Sequence, residues 1–310
     1  MSLNFRMRTI LGKVESSYGV DPVPTGASDA ILCGQISFKP MANENLQREI
    51  VQPWLGQKET IPVSTVCDFE FGVELQSSGA AGTAPQWGTL LKACGFSETV
   101  TPVTDVQYAP ASSGHSSIAF YFNQSGIRHK LLGCRGNVRI MMTPRRIPYL
   151  MFSFKGLYGG VSDQSHPSQT LTAWKAPLAM NNANSGSFAL HGYSGLLYDM
   201  QIDMKNQVVH RNLVGIEDVL ITDRAPDGNI VIEAPAIATK DFFTVAAAGT
   251  QGTLTLTHGT VAGYKVLISG SYIQPQNPEY EDRDGIVALK MPLRFMPGAA
   301  GNDELTIKAF

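Results

Sequence analysis

Alternation of apolar and polar positions is the strongest signal along this chain. Cys67, Phe69, Phe71, Val73 and Leu75 alternate with Asp68, Glu70, Gly72 and Glu74. Tyr198, Met200, Ile202 and Met204 alternate with Asp199, Gln201, Asp203 and Lys205, and Leu289, Met291, Leu293 and Phe295 with Ala288, Lys290, Pro292 and Arg294. Successive side chains of a strand point to opposite faces, so this spacing marks strands with one buried and one wetted face. It predicts a mainly β protein. Two short segments have helical spacing instead. Trp87, Leu90, Leu91 and Cys94 share one helix face, with Pro85 near the start and Gly95 at the stop. Asp241 to Ala248 is the second, with Thr239 as the expected N-cap and Gly249 as terminator.

The order of these elements recurs. A strand around Ile36 and Phe38 leads, through a polar stretch containing Arg48, to the strand Cys67 to Leu75. A strand around Met200 and Ile202 leads, through a stretch containing Arg211, to a strand from Asn229 to Glu233. In each half a helix follows, then an alternating strand (Ile118, Phe120, Phe122; Leu254, Leu256). In the closing strands Leu150, Phe152 and Phe154 answer Leu289, Met291 and Leu293. Agreement of phase, helix position and order reads as a duplication. The expected organisation is an extended arm over 1–30, a first domain over 31–158, a linker over 159–187 and a second domain over 188–310. The arm needs something to lie against. Pro292 lacks a ladder donor, which predicts an edge position.

Composition narrows the function. Thirty glycines and eighteen prolines suit strands joined by turns better than a helical bundle. A net charge of −2 argues against affinity resting on nucleic-acid phosphates. No apolar run reaches the roughly 18 residues that span a bilayer, and the N-terminal residues do not read as a signal peptide. Glycine-rich phosphate loops, HExxH and GxSxG are missing, Gly114-His115-Ser116-Ser117 coming nearest to the last. Cys33, Cys67, Cys94 and Cys134 lack metal-site spacing and read as small buried hydrophobes. The six scattered histidines read as solvated loop or strand-end residues. Asp282-Arg283-Asp284-Gly285 reads as a hairpin turn rather than a calcium loop. Glu70 and Glu74 share a strand face, where a glycosidase could hold two carboxylates, but a solvated face gives the same alternation. No catalytic residue, cofactor or metal is expected, and the chain reads as a non-enzyme.

What is left is assembly. Open sheet edges invite pairing with another chain. Trp54, in the polar excursion from Pro40 to Pro62, is either an anchor covered by a partner or a residue folded back on its own domain. The alternative is a two-domain β-sandwich adhesin or carbohydrate-binding module. That predicts a soluble monomer with an exposed aromatic platform, which the dispersed Trp54, Trp87 and Trp174 do not obviously form.

Several segments resemble the major tail tube proteins of long-tailed, non-contractile (siphovirus-type) bacteriophages. They are Leu11-Gly12-Lys13-Val14-Glu15-Ser16-Ser17-Tyr18-Gly19-Val20-Asp21-Pro22, Ser78-Gly79-Ala80-Ala81-Gly82-Thr83-Ala84-Pro85 and Ala93-Cys94-Gly95-Phe96. His191-Gly192-Tyr193, Asn206-Gln207-Val208-Val209 and Leu220-Ile221-Thr222-Asp223-Arg224-Ala225-Pro226 carry the same likeness. It runs over nearly the whole chain, Leu11 to Ile307, in structural stretches without catalytic signatures.

The resemblance implies two tandem tail-tube-type β-sandwich/barrel domains, each with one short helix, in rings that stack into a virion tail tube. Inner sheets of neighbouring domains would join around a channel for double-stranded DNA, a passing and non-specific cargo, and for tape-measure protein. Besides itself, the chain would meet tape-measure protein and the tail terminator and distal tail proteins, assembling in the host cytoplasm without a membrane. Many relatives carry one tube domain and form hexameric rings, so two per chain imply three chains per pseudo-sixfold ring. The loop reaching the adjacent ring would be Pro40 to Pro62, with Arg48, Glu49, Trp54 and Glu59 as candidate contacts. Its second copy would be Lys205 to Asp227, with Arg211.

Overall fold

The computed structural model describes residues 3–310; Met1 and Ser2 of the expected arm lie outside the described residues. The arm contributes β1 (Arg8–Val14) and β2 (Ala30–Ile31). Two long strands, β3 (Gly34–Gln47) and β4 (Thr60–Glu74), precede helix α1 (Gly88–Ala93). After it come β5 (Phe96–Thr101), β6 (Asp105–Pro110), β7 (Ile118–Gln124), β8 (Ile127–Met142) and β9 (Tyr149–Asp163). The second half opens with β10 (Ser185–Leu190), β11 (Leu197–Asp203), β12 (Gln207–Leu213), β13 (Ile216–Asp223) and β14 (Asp227–Glu233). Helix α2 (Phe242–Ala247) follows, then β15 (Gly252–His258), β16 (Val266–Pro275), β17 (Glu279–Arg283), β18 (Ile286–Phe295) and β19 (Thr306–Ala309). The protein is mainly β, as the alternation predicts.

The antiparallel ladder of the first half runs β1–β7–β8–β9–β4–β3. That of the second half runs β10–β15–β16/β17–β18–β14–β11. Both ladders take their strands in the same order, with β16 and β17 together standing where β8 stands. The β5–β6 hairpin is present in the first half alone. Two joints connect the halves. The end of β8 pairs with β11, and β19 lies between β6 and β16. One hydrophobic core is continuous through both halves. In the first half it is aromatic: Phe69, Phe71, Phe120, Phe152 and Phe154 are all buried, with Phe120 and Phe154 ring centres 4.9 Å apart.

Local chemistry departs from the sequence reading at several points. Asp241, not Thr239, caps α2: its carboxylate accepts the N–H groups of Phe243 and Thr244, both at 3.0 Å. Gly95 ends α1 with φ 81°, a left-handed conformation that favours glycine. Pro292 is not on an edge, because β18 has β14 on one side and β16, then β17, on the other. It sits where the second side changes partner: Gln276 N–H donates to its carbonyl, and the missing donor falls at the break between β16 and β17. The expected loop from Pro40 to Pro62 is largely a ladder, with β3 and β4 paired out to Gln47 and Thr60. Asp284 (φ 55°) and Gly285 (φ 82°) form the two-residue β17–β18 turn expected for an Asp-Gly pair.

Two of the histidines are braces rather than solvated groups. His258, buried, lies 3.1 Å from Ser185 Oγ and from the Leu178 carbonyl. His166 sits between Thr9 Oγ1 and the donating N–H of Ser125. Cys67, Cys94 and Cys134 are buried and Cys33 is half-buried, none in a disulfide. The arm lies against its own chain: β1 pairs along β7, and the Asp21 carboxylate accepts from Tyr121 Oη and Lys130 Nζ.

Candidate interaction surface

Two hairpins stand out from the body. The first is the outer part of β3 and β4 with the tip 48–59. Arg48 Nη1 meets Glu59 Oε2 at 2.7 Å across the base of the tip, and Lys58 Nζ lies 3.4 Å from Glu49 Oε2. Exposed pairs of this kind contribute about 0–1 kcal/mol, so they set the tip's shape more than its stability. With these charges paired to each other, the tip presents apolar side chains outward. Trp54 is 68% exposed, and Val51 and Leu55 are fully exposed. The run Val51-Gln52-Pro53-Trp54-Leu55 carried that signal in the sequence, although Trp54 alone stood out there.

The second hairpin is β12–β13, a two-stranded unit with a Val214-Gly215 turn. Its base is held to the body by the first half and the arm. The Val219 N–H donates to Tyr18 Oη, Arg135 donates to the Val219 carbonyl at 2.8 Å, and the Arg135 guanidinium lies over the Tyr18 ring. Arg211 is not free: its guanidinium forks onto the Asp218 carboxylate with bonds of 2.9 and 2.7 Å. The Arg211 hydrogen bonds hold Asp218 below its ordinary carboxylate pKa. The outward residues are again apolar, Leu213, Val214 and Ile216. Asn212 Nδ2 donates to the Val63 carbonyl, so the two hairpins touch. The structure therefore brings Arg211 and the tip that carries Arg48, Glu49, Trp54 and Glu59 to neighbouring projections.

Beside the hairpins, one face of the ladder carries interleaved charges. Lys39, Asp68, Glu70, Lys155, Arg139 and Asp203 share it across β3, β4, β9, β8 and β11. Lys155 lies 3.8 Å from Asp68. Glu70 is one of these solvated positions, whereas Glu74 accepts from Tyr149 Oη. Among the described residues, no group of three or more His, Cys, Asp or Glu is placed to hold a metal ion. Trp87 and Trp174 are buried, Trp87 Nε1 donating to the Gln76 carbonyl and Trp174 Nε1 to that of Ala30. The three tryptophans therefore form no shared binding platform. No helix of the described residues is long and apolar enough to cross a membrane.

Several strands have a ladder partner on one side only, among them β5, beside β6, and β10, beside β15. Over 34–39, β3 is paired with β4 alone, and β17 is paired with β18 alone. Comparison with known proteins gives one family: the model for the phage tail tube protein family matches residues 6–297. No curated protein matches the chain.

Proposed function

From the premise that the chain belongs to the phage tail tube protein family, and is therefore a structural subunit of a tube in the virion tail, we propose that it carries two tube-type wedges. Three such chains close a ring with pseudo-sixfold symmetry, and rings stack into the tail tube of a long-tailed, non-contractile phage. The observation that carries this reading is the identical strand order of the two ladders, together with the β8–β11 pairing that joins one to the next. A head-to-tail contact that repeats by rotation generates a ring.

The domains proposed are 31–158 and 188–310, preceded by the arm 1–30 and connected by 159–187. Stacking falls to the hairpin tips, with Trp54 as the apolar anchor and Arg48, Glu49, Glu59 and Arg211 shaping the projections around it. The mixed-charge ladder face lines the channel. Alternating signs give passing DNA no basic track on which to release counterions. Tape-measure protein fills the channel before DNA does, and terminator and distal tail proteins cap the ends; assembly takes place in the host cytoplasm. Native mass spectrometry of purified rings, with negative-stain microscopy, tests the stoichiometry. Three chains per ring are expected; six chains, or a lasting monomer under tail-like conditions, overturn the proposal.

A further inference from the structure

We infer that the outer edge of β17 in one copy pairs antiparallel with the outer edge of β3 in a second copy, with Glu279 opposite Lys39. The inference rests on the tube reading and adds to it the strands, the register and the charge pattern of the joint between chains.

The template is inside the chain. The last residues of β8 pair with β9 on one side and β11 on the other, in the register Met142↔Met200, Met141↔Gln201, Ile140↔Ile202 and Arg139↔Asp203. Ile140, Ile202, Met142 and Met200 are all buried there. On the opposite face, Arg139 Nε donates to Asp203 Oδ2 at 3.1 Å.

The ladders say which residues of the other half occupy these places. Leu150 of β9 lies opposite Val73 on one side and Ile140 on the other. Leu289 of β18 lies opposite Ile232 and Tyr280. Tyr280 therefore stands where Ile140 stands, and Glu279 where Arg139 stands. In the same way Ile202 lies opposite Gly228, and Phe38 opposite Phe69, which holds the corresponding position of β4. Phe38 thus stands for Ile202 and Lys39 for Asp203. Carrying the internal joint over sets Phe38 against Tyr280 and Lys39 against Glu279.

The chemistry of those positions fits. Phe38 already packs on Phe69 and Phe122, and Tyr280 on Phe243 of α2, yet Tyr280 is 64% exposed. Joining the edges would set two aromatic residues where Ile140 and Ile202 meet. Lys39 and Glu279 form no ion pair within the described residues. Relative to Arg139 and Asp203, their signs are exchanged. The exchange keeps each correct joint attractive and makes each crossed joint repulsive: β8 against β3 would oppose Arg139 to Lys39, and β17 against β11 would oppose Glu279 to Asp203. Like charges directly opposite on neighbouring strands destabilise a pair, so the pattern enforces alternation of first and second halves around the ring.

The test follows the assembled fraction against protein concentration by sedimentation velocity, with micrographs of the products, for wild type, Lys39→Glu, Glu279→Lys and the double exchange. Within one chain Lys39 lies opposite Asp68 and Glu279 opposite Lys290, so each reversal also sets like charges face to face there. The melting curve of the unassembled chain measures that cost separately, and the double exchange, which carries both costs, still restores the joint. Each single reversal is expected to raise the half-assembly concentration at least about tenfold, and the double exchange to bring it back to within about threefold of wild type. Single variants that assemble like wild type, or a double variant no better than the singles, overturn the joint while leaving the tube reading intact. A wild-type chain that stays monomeric at every concentration refutes the tube reading and the joint with it.

Discussion

Replacing Trp54 with alanine separates assembly from folding. An aromatic side chain offers about 150–250 Å² of surface. Trp54 is 68% exposed, so roughly 130 Å² is still available to bury against a neighbouring ring, worth about 3 kcal/mol at about 25 cal/mol per Å². That is roughly a hundredfold in affinity for each contact, and the contacts of one ring act together. The unassembled chain loses almost nothing, since surface substitutions of this kind fall within about 0.5 kcal/mol. Urea unfolding of the dispersed chain and length distributions of assembled tubes measure the two quantities separately. The expected result is unchanged unfolding with free rings or short stacks in place of long tubes. Tubes of wild-type length would refute the reasoning, as would an unfolding free energy lowered by about 3 kcal/mol, which would mean that Trp54 packs on its own chain.

Arg224 donates to Glu304 Oε1, to the Ala111 carbonyl and to Asn302 Oδ1, tying the first half to the second. Arg224→Ala leaves the buried Glu304 carboxylate without that partner and should cost about 3 kcal/mol in urea unfolding, the scale for breaking a buried ion pair. Burial pushes the Cys33 and Cys67 thiols up to about 12 and raises Cys94 and Cys134 as well. A thiol-disulfide reagent at pH 8 should therefore leave the native chain nearly unlabelled and titrate all four cysteines once urea is added. Burial holds the imidazoles of His258 and His191 below their ordinary pKa of 6.5. The unfolded chain thus binds more protons just below that value, so stability is full above pH 6.5 and falls as the pH drops further. Denaturation at pH 7.5 and pH 5 should show the loss, and His258→Gln should reduce it.

The alternating strands and α1 were legible because each buries one face, and burial writes a period into the sequence; β12, β13 and β17, largely exposed, were not read, and α2 buries only Phe242. Phe69 and Phe71, or Met200 and Ile202, reveal their strands without reference to anything distant. Features made by contacts far apart in sequence left no such trace. Pro292 looked like an edge residue because its missing donor is local, while the change from β16 to β17 beside it is not. His258 depends on Ser185 and Leu178, and Arg224 on Ala111 and Glu304; nothing near either residue announces the partner. At the candidate surface, Trp54 was visible as an apolar residue in a polar stretch. That Arg48 pairs with Glu59, Glu49 with Lys58 and Arg211 with Asp218 required the hairpin registers. The β8–β11 joint could not be read at all, since hydrogen bonding between strand edges is made by backbone groups common to every residue.

The two projecting hairpins have a geometric consequence of their own. One ends in a twelve-residue tip bearing Trp54, the other in the two-residue turn Val214-Gly215. In the proposed three-chain ring, long and short hairpins would alternate around the crown, so a second ring could seat on it in half as many orientations as six identical teeth would allow. In that proposed ring the two unequal hairpins of each chain would fix rotational indexing along the shaft, and torque along the tail would fall on teeth that cannot slip by one place.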